Sequence, residues 1–119
     1  MLNLLNILVV EDSENDTELL LEELRRKHYT PQHERVQTAP ELVTALGHRK
    51  WDAVISDYTM PQFSGPAALK LSRDQGLDVP FIFVSGTHGE EIAVDMMRAG
   101  ANDYLSKDNL SRLVPAIER

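Results

Sequence analysis

The residues of this 119-residue chain best suited to joint chemistry are the acidic pair Glu11-Asp12, then Asp57, Ser85 and Lys107. Each follows a short run of apolar or β-favouring residues: Ile7-Leu8-Val9-Val10, Ala53-Val54-Ile55, Phe81-Ile82-Phe83-Val84, and Asn102 to Ser106. If those runs are parallel strands, all five polar side chains fall at the carboxyl edge of one sheet, where open α/β sheets bind their ligands. Three carboxylates gathered there repel one another; a pair about 4 Å apart costs on the order of 4 kcal/mol at an effective dielectric of about 20. A cation is therefore expected among them. Hard carboxylate oxygens without His or Cys suit Mg²⁺, or another divalent cation such as Mn²⁺, and Lys107 adds a fixed positive charge. Such a set meets the needs of phosphoryl transfer to a carboxylate. Asp57 would be the nucleophile, the metal and Lys107 would neutralise phosphoryl oxygens, and Ser85 with nearby backbone N–H groups would donate hydrogen bonds to them.

The elements that must position these residues are legible in the periodicity. The three strongest apolar runs are short, continuous and partly β-branched, as parallel strands covered on both faces are. His33–Gln37 and Asn102–Ser106 are more polar or shorter and suit edge strands. Helix starts lie between them. Ser13-Glu14-Asn15-Asp16 and Thr38-Ala39-Pro40-Glu41 read as capping boxes, the first opening a helix with a core stripe of Leu20, Leu21, Leu24 and His28. Ser64-Gly65-Pro66 opens a third helix closed by Gly76, Gly89-Glu90-Glu91 a fourth ending at Gly100, and Asp108 or Asn109 caps a fifth of about ten residues. The expectation is an α/β fold, a flavodoxin-like (βα)5 doubly wound domain spanning 1–119. Its five-stranded parallel sheet would have strand order 2-1-3-4-5, with the switch point between the first and third strands.

Composition narrows the function classes. Hydrophobic residues make up 42% and charged residues 26%, and no tract is biased toward Gly, Ser or Pro, so one folded domain without a disordered tail is expected. The absence of cysteine excludes disulfides and thiolate metal sites. A formal charge of −7 opposes direct nucleic-acid binding. With no signal-peptide pattern and no membrane-spanning apolar stretch, a cytoplasmic location is expected. The chain ends at Arg119, and the expectation is a domain that either stands alone or has been excised from a longer protein.

Four motifs in order carry a family resemblance. Ile7-Leu8-Val9-Val10-Glu11-Asp12-Ser13, Asp52-Ala53-Val54-Ile55-Ser56-Asp57-Tyr58-Thr59-Met60-Pro61 followed by Gly65, Phe83-Val84-Ser85-Gly86, and Asp103-Tyr104-Leu105-Ser106-Lys107 together resemble the response-regulator receiver domain of two-component phosphorelays. The resemblance implies that Glu11 and Asp12 are the metal-binding acidic pair and Asp57 the phosphoacceptor. It makes Thr59 a metal ligand through its backbone carbonyl, Ser85 the switch hydroxyl, Tyr104 the switch aromatic and Lys107 the phosphate-pairing lysine. It further implies a self-catalysed signalling switch rather than an enzyme, with slow autodephosphorylation. The donor would be a sensor histidine kinase or a histidine phosphotransfer protein. The output would be a downstream domain or partner reading the surface of helix 4, strand 5 and helix 5. One departure is Asp108, where many receivers carry proline; capping the final helix is its expected role.

Simpler readings exist for each residue taken singly. An acidic pair after a strand commonly just complements a helix N-terminus, and Ser85 and Tyr104 alone would be a turn hydroxyl and a core aromatic; their register with Asp57 and Lys107 favours the functional reading. His28, His33, His48 and His88 lack metal-ligand spacing and read as surface or satisfied residues, while Met96 and Met97 should pack the fourth helix on the sheet or at a partner surface and Trp51 shield the start of the third strand. A haloacid-dehalogenase-type phosphatase would need a second aspartate where Thr59 stands. A P-loop would need its glycine-rich motif where Glu11-Asp12-Ser13-Glu14 stands. The remaining rival is a pure interaction domain on the same fold, which the intact acidic, aspartate, hydroxyl and lysine positions oppose.

Overall fold

The structure is a computed structural model that describes residues 3–86 and 89–118. Among these residues five strands alternate with five helices: β1 (Leu4–Val10), α1 (Glu14–Arg26), β2 (Thr30–Val36), α2 (Ala39–Leu46), β3 (Ala53–Asp57), α3 (Gly65–Asp74), β4 (Phe81–Ser85), α4 (Glu90–Arg98), β5 (Asp103–Ser106) and α5 (Leu113–Ile117). The strands form one parallel sheet in the order β2-β1-β3-β4-β5. This is the doubly wound, flavodoxin-like arrangement expected from the alternation, and its chain reversal falls between β1 and β3.

Every residue of β3 and β4 is buried, because helices cover the sheet on both sides. One face carries Ile7, Val9, Ile55, Ile82 and Val84 against Leu20 and Leu24 of α1 and Leu113 and Ile117 of α5. The other carries Leu8, Val10, Val54, Phe81 and Phe83 against Leu42 of α2, Leu69 of α3 and, at its margin, Met96 of α4. The period-2 alternation of side chains thus feeds two cores from the same strands. Burial of each such side chain contributes roughly 1.5–3 kcal/mol, so the sheet is a rigid base for whatever its carboxyl edge presents.

The helix caps follow the sequence. Ser13, Thr38 and Ser64 accept backbone N–H bonds from Asp16, Glu41 and Ala67. Gly76 (φ 85°) and Gly100 (φ 113°) occupy the left-handed region beyond α3 and α4. Trp51 is buried and its indole N–H donates to the Ala45 carbonyl at 3.0 Å, closing off the start of β3.

Three details differ from expectation. β2 begins at Thr30 and takes in Pro31, which an edge strand accommodates because one side of it forms no ladder. His28 lies outside the core stripe: α1 ends at Arg26, and His28 is exposed with φ 73°, doing the turn that glycine usually performs. α5 has five residues, and neither Asp108 nor Asn109 caps it; the cap position is Arg112, without a side-chain bond. Asp108 instead donates its N–H to the Ser106 hydroxyl at 3.0 Å, and Asn109 accepts the Ser111 N–H at 3.1 Å, so these residues shape the loop before the helix. Other residues match expectation: His33 and His48 are exposed, with His48 against Glu34, and Met97 is solvent-facing while Met96 is partly buried. His88 lies outside the described residues.

Candidate functional site

The β1–β3–β4–β5 order brings the carboxyl ends of four strands side by side, with Val10 opposite Ser56, Asp57 opposite Val84 and Ser85 opposite Ser106. Residues that end or follow these strands therefore meet, however far apart they lie in sequence. Glu11, Asp12 and Asp57 each present a carboxylate oxygen, and the three atoms lie within 4.8 Å of one another. Glu11 is 1% exposed and Asp57 7%, while Asp12 faces solvent.

Glu11 is tied at both oxygens. Oε2 accepts the backbone N–H groups of Asp12 (3.0 Å) and Ser13 (3.2 Å), and Oε1 accepts the Lys107 ammonium at 2.9 Å. Desolvation by burial nonetheless pushes its pKa from 4.5 to about 7, with the neighbouring Asp57 carboxylate adding to the rise and the Lys107 hydrogen bond opposing it. Such a group is short of positive charge. A small divalent cation with oxygen preference would supply it, so the donor set fits the Mg²⁺ or Mn²⁺ expected from the sequence. Arg35 of β2 braces the loop from outside, donating to the Glu11 carbonyl at 3.2 Å and pairing with Glu14 at 3.3 Å.

Asp57 ends β3, and its Oδ1 accepts the Thr59 N–H at 3.4 Å, which sets the Thr59 backbone beside the carboxylate. Space around it is tight. A Cβ on Gly65 would stand 2.6 Å from the Asp57 carbonyl oxygen, 2.6 Å from Phe83 Cε1 and 2.9 Å from Tyr58 Cα, so only glycine lets α3 begin against the end of β3. The Gly65 N–H donates to the Tyr58 carbonyl at 3.0 Å and fixes that approach.

Ser85 is buried at the end of β4, and its carbonyl accepts the Lys107 N–H at 2.9 Å, which fixes the lysine backbone. Lys107 Nζ lies 3.5 Å from Asp57 Oδ2, 2.9 Å from Glu11 Oε1 and 2.7 Å from Asp16 Oδ2. Burial lowers the lysine pKa, but the hydrogen bonds to Asp16 and Glu11 and the nearby Asp57 charge outweigh it and hold the value above the ordinary range. Tyr104 is half-buried. Its ring packs edge-on to Tyr58, with centroids 5.8 Å apart, and lies 6.1 Å from Phe83. A chain of aromatic contacts thus runs from the residue after Asp57 to the outer strand.

Glu11, Asp12, Asp57, Thr59, Ser85 and Lys107 end or follow their strands at one edge of the sheet, with Tyr104 further down β5 opposite Phe83, and Glu11, Asp12, Asp57 and Lys107 form one charged cluster. Asp16 was not among them; the sequence offered it only as the fourth member of a capping box. Chemically, the cluster is a buried carboxylate held near an ammonium and next to oxygen ligands for a cation.

A family model described as the response regulator receiver domain matches residues 7–118. Among curated proteins, the chain is 31% identical over 72 residues to the regulatory protein LuxO of Vibrio cholerae, covering 60% of this chain and 16% of LuxO. It is also 31% identical over 101 residues to the response regulator MprA of a Mycobacterium species, covering 85% of this chain and 43% of MprA. The matched region is thus less than half of either relative. Among solved structures, the receiver domain of Francisella response regulator 1452 superposes with a TM-score of 0.79 at 20% identity, over 95% of this chain and 93% of that one, a likeness of fold.

Proposed function

The chain belongs to the response regulator receiver domain family of two-component signalling, and on that premise we propose that it is a phosphoacceptor switch whose acceptor is Asp57. The observation that carries this reading is the convergence of Asp57, nearly buried, with Lys107 at 3.5 Å and with the Glu11 and Asp12 carboxylates.

In the proposed reaction an Asp57 carboxylate oxygen attacks the phosphorus of a phosphohistidine on a sensor kinase or phosphotransfer protein. An O–P bond forms while the P–N bond breaks, and its electron pair departs with the imidazole, which leaves neutral after taking up a proton. A small acyl phosphate offers the same exchange with a carboxylate as leaving group. Lys107 donates to a phosphoryl oxygen, and the Ser85 hydroxyl donates to another. Glu11, Asp12 and Asp57, with the Thr59 carbonyl, would hold a Mg²⁺ or Mn²⁺ ion, which supplies neutralisation of phosphoryl charge. With Thr59 two positions after Asp57, the chain has no carboxylate there to act as general base toward an attacking water, which supports slow autodephosphorylation.

The new charge on Asp57, roughly one unit more negative than the carboxylate by analogy with ordinary phospho-residues, draws Ser85 and the loop after β4 inward. Tyr104, whose ring already lies beside Tyr58 and Phe83, then turns further from solvent toward the core, which alters the surface of α4, β5 and α5 that an output domain or partner would read. The −7 net charge leaves any nucleic-acid contact to such a partner. Action in the cytoplasm is part of this proposal; no described helix is long and apolar enough to cross a membrane.

Incubation with acetyl phosphate and Mg²⁺, followed by intact-mass spectrometry, tests the reading. One added phosphoryl group is expected in the wild type and none in Asp57→Asn or in chelator; equal labelling of Asp57→Asn would sink the assignment.

A further inference from the structure

From the ion-pair geometry we infer that Asp16 is a positioning residue for phosphoryl transfer, one that aims the Lys107 ammonium at Asp57. The inference rests on the phosphoacceptor reading above and assigns a part to a residue outside its motifs.

An ammonium on a flexible four-carbon stem has three donors and no fixed direction of its own. Here two of its bonds are short, to Asp16 Oδ2 (2.7 Å) and Glu11 Oε1 (2.9 Å), and the third neighbour is Asp57 Oδ2 at 3.5 Å. Two anchors fix Nζ and leave its third donor for the acceptor, whose carboxylate oxygen stands 3.5 Å away. Glu11 and Asp57 are both engaged by the proposed chemistry, the first with a cation and the second with the phosphoryl group. Asp16 is the anchor that the reaction leaves unchanged.

The backbone at both ends of this pair is held rigidly. Asp16 sits in the first turn of α1, where its N–H donates to the Ser13 hydroxyl at 3.1 Å and the Thr17 hydroxyl donates to the Ser13 carbonyl at 3.0 Å. The Lys107 backbone is bonded to Ser85. A capping box would turn the Asp16 carboxylate back onto the Ser13 N–H. That N–H instead donates to Glu11 Oε2 at 3.2 Å, and the Asp16 carboxylate reaches across to the lysine 91 positions away. The pair is partly screened, with Lys107 21% and Asp16 35% exposed at the side chain, so its effect is moderate rather than absolute.

The test measures the rate of Asp57 phosphorylation by acetyl phosphate at saturating Mg²⁺ in the wild type, Asp16→Asn, Lys107→Met and the double variant. It also records the ¹⁵N signal of the Lys107 ammonium in metal-free, unphosphorylated wild type and Asp16→Asn. Loss of one partly exposed charge-assisted bond is expected to slow Asp16→Asn by about three- to tenfold. Asp16→Glu, which keeps the charge, should recover part of that loss. Lys107→Met and the double variant should react at the same rate, because Asp16 acts through the lysine. The ammonium signal should be resolved in the wild type and shifted or lost in Asp16→Asn. The inference is overturned if Asp16→Asn reacts as fast as or faster than the wild type, if the double variant loses the same factor again, or if the ammonium signal is unchanged. A wild type that takes no label on Asp57 overturns the functional reading and this inference with it, whereas a labelled wild type with an additive double variant overturns this inference alone.

Discussion

Removing the titration of Glu11 should change how stability depends on pH, by an amount the site geometry sets. In the unfolded chain Glu11 releases its proton near the ordinary 4.5, while burial beside Asp57 makes the folded protein keep that proton to about 7. Between those values the folded state binds more protons than the unfolded state, so stability must fall as pH rises. The contribution is fully present below pH 4.5 and lost by about pH 7. Each factor of ten in a proton equilibrium is worth about 1.4 kcal/mol, and a rise from 4.5 to about 7 therefore bounds the loss at about 3 kcal/mol. Urea denaturation of chelator-treated wild type and Glu11→Gln across pH 4.5–7.5 tests this, since the difference between the two curves cancels the titrations of groups distant from Glu11. The wild type should lose up to about 3 kcal/mol relative to Glu11→Gln over that window, and saturating Mg²⁺ should reverse the decline by favouring the ionised carboxylate. A flat difference curve, or one that rises with pH, would refute the claim that Glu11 is a desolvated carboxylate short of positive charge.

Other outcomes follow from the same packing. Gly65→Ala should destabilise by about 3 kcal/mol or more by denaturant titration, since backbone atoms 2.6–2.9 Å from the new methyl group cannot yield cheaply; wild-type stability would contradict that contact. Millimolar Mg²⁺ should raise the melting temperature of the wild type and fail to do so in an Asp12→Asn/Asp57→Asn variant, because a ligand bound only by the native state stabilises it by mass action; equal stabilisation of both would misplace the site. Ser85→Ala should still accept phosphate, more slowly, while NMR spectra with beryllofluoride show a much smaller change at Tyr104 than in the wild type. Unchanged wild-type resonances from Gly86 to Lys107 would defeat the proposed coupling.

The sheet order and the grouping of Glu11, Asp12, Asp57, Ser85 and Lys107 were legible because apolar runs mark parallel strands and the ends of those strands must share an edge. What escaped was set by tertiary contact. Asp16 has an ordinary local role in the first turn of α1, and only the register of β5 beside β4 brings Lys107 within its reach. His28 closes α1 without the glycine that would have announced it. Asp108 satisfies the rule for a helix cap, yet its N–H turns back to Ser106 and the last helix starts later and shorter. Pro31 argued against a strand by local rules and is accepted because β2 has a free side.

The most direct measurement is the chemical identity of the acceptor. Wild-type protein treated with acetyl phosphate and Mg²⁺, then reduced with borohydride and digested, should yield a peptide in which position 57 has become homoserine, the product of an acyl phosphate on Asp57. An unmodified Asp57, or reduction at Glu11 or Asp12 instead, would contradict the account at its centre.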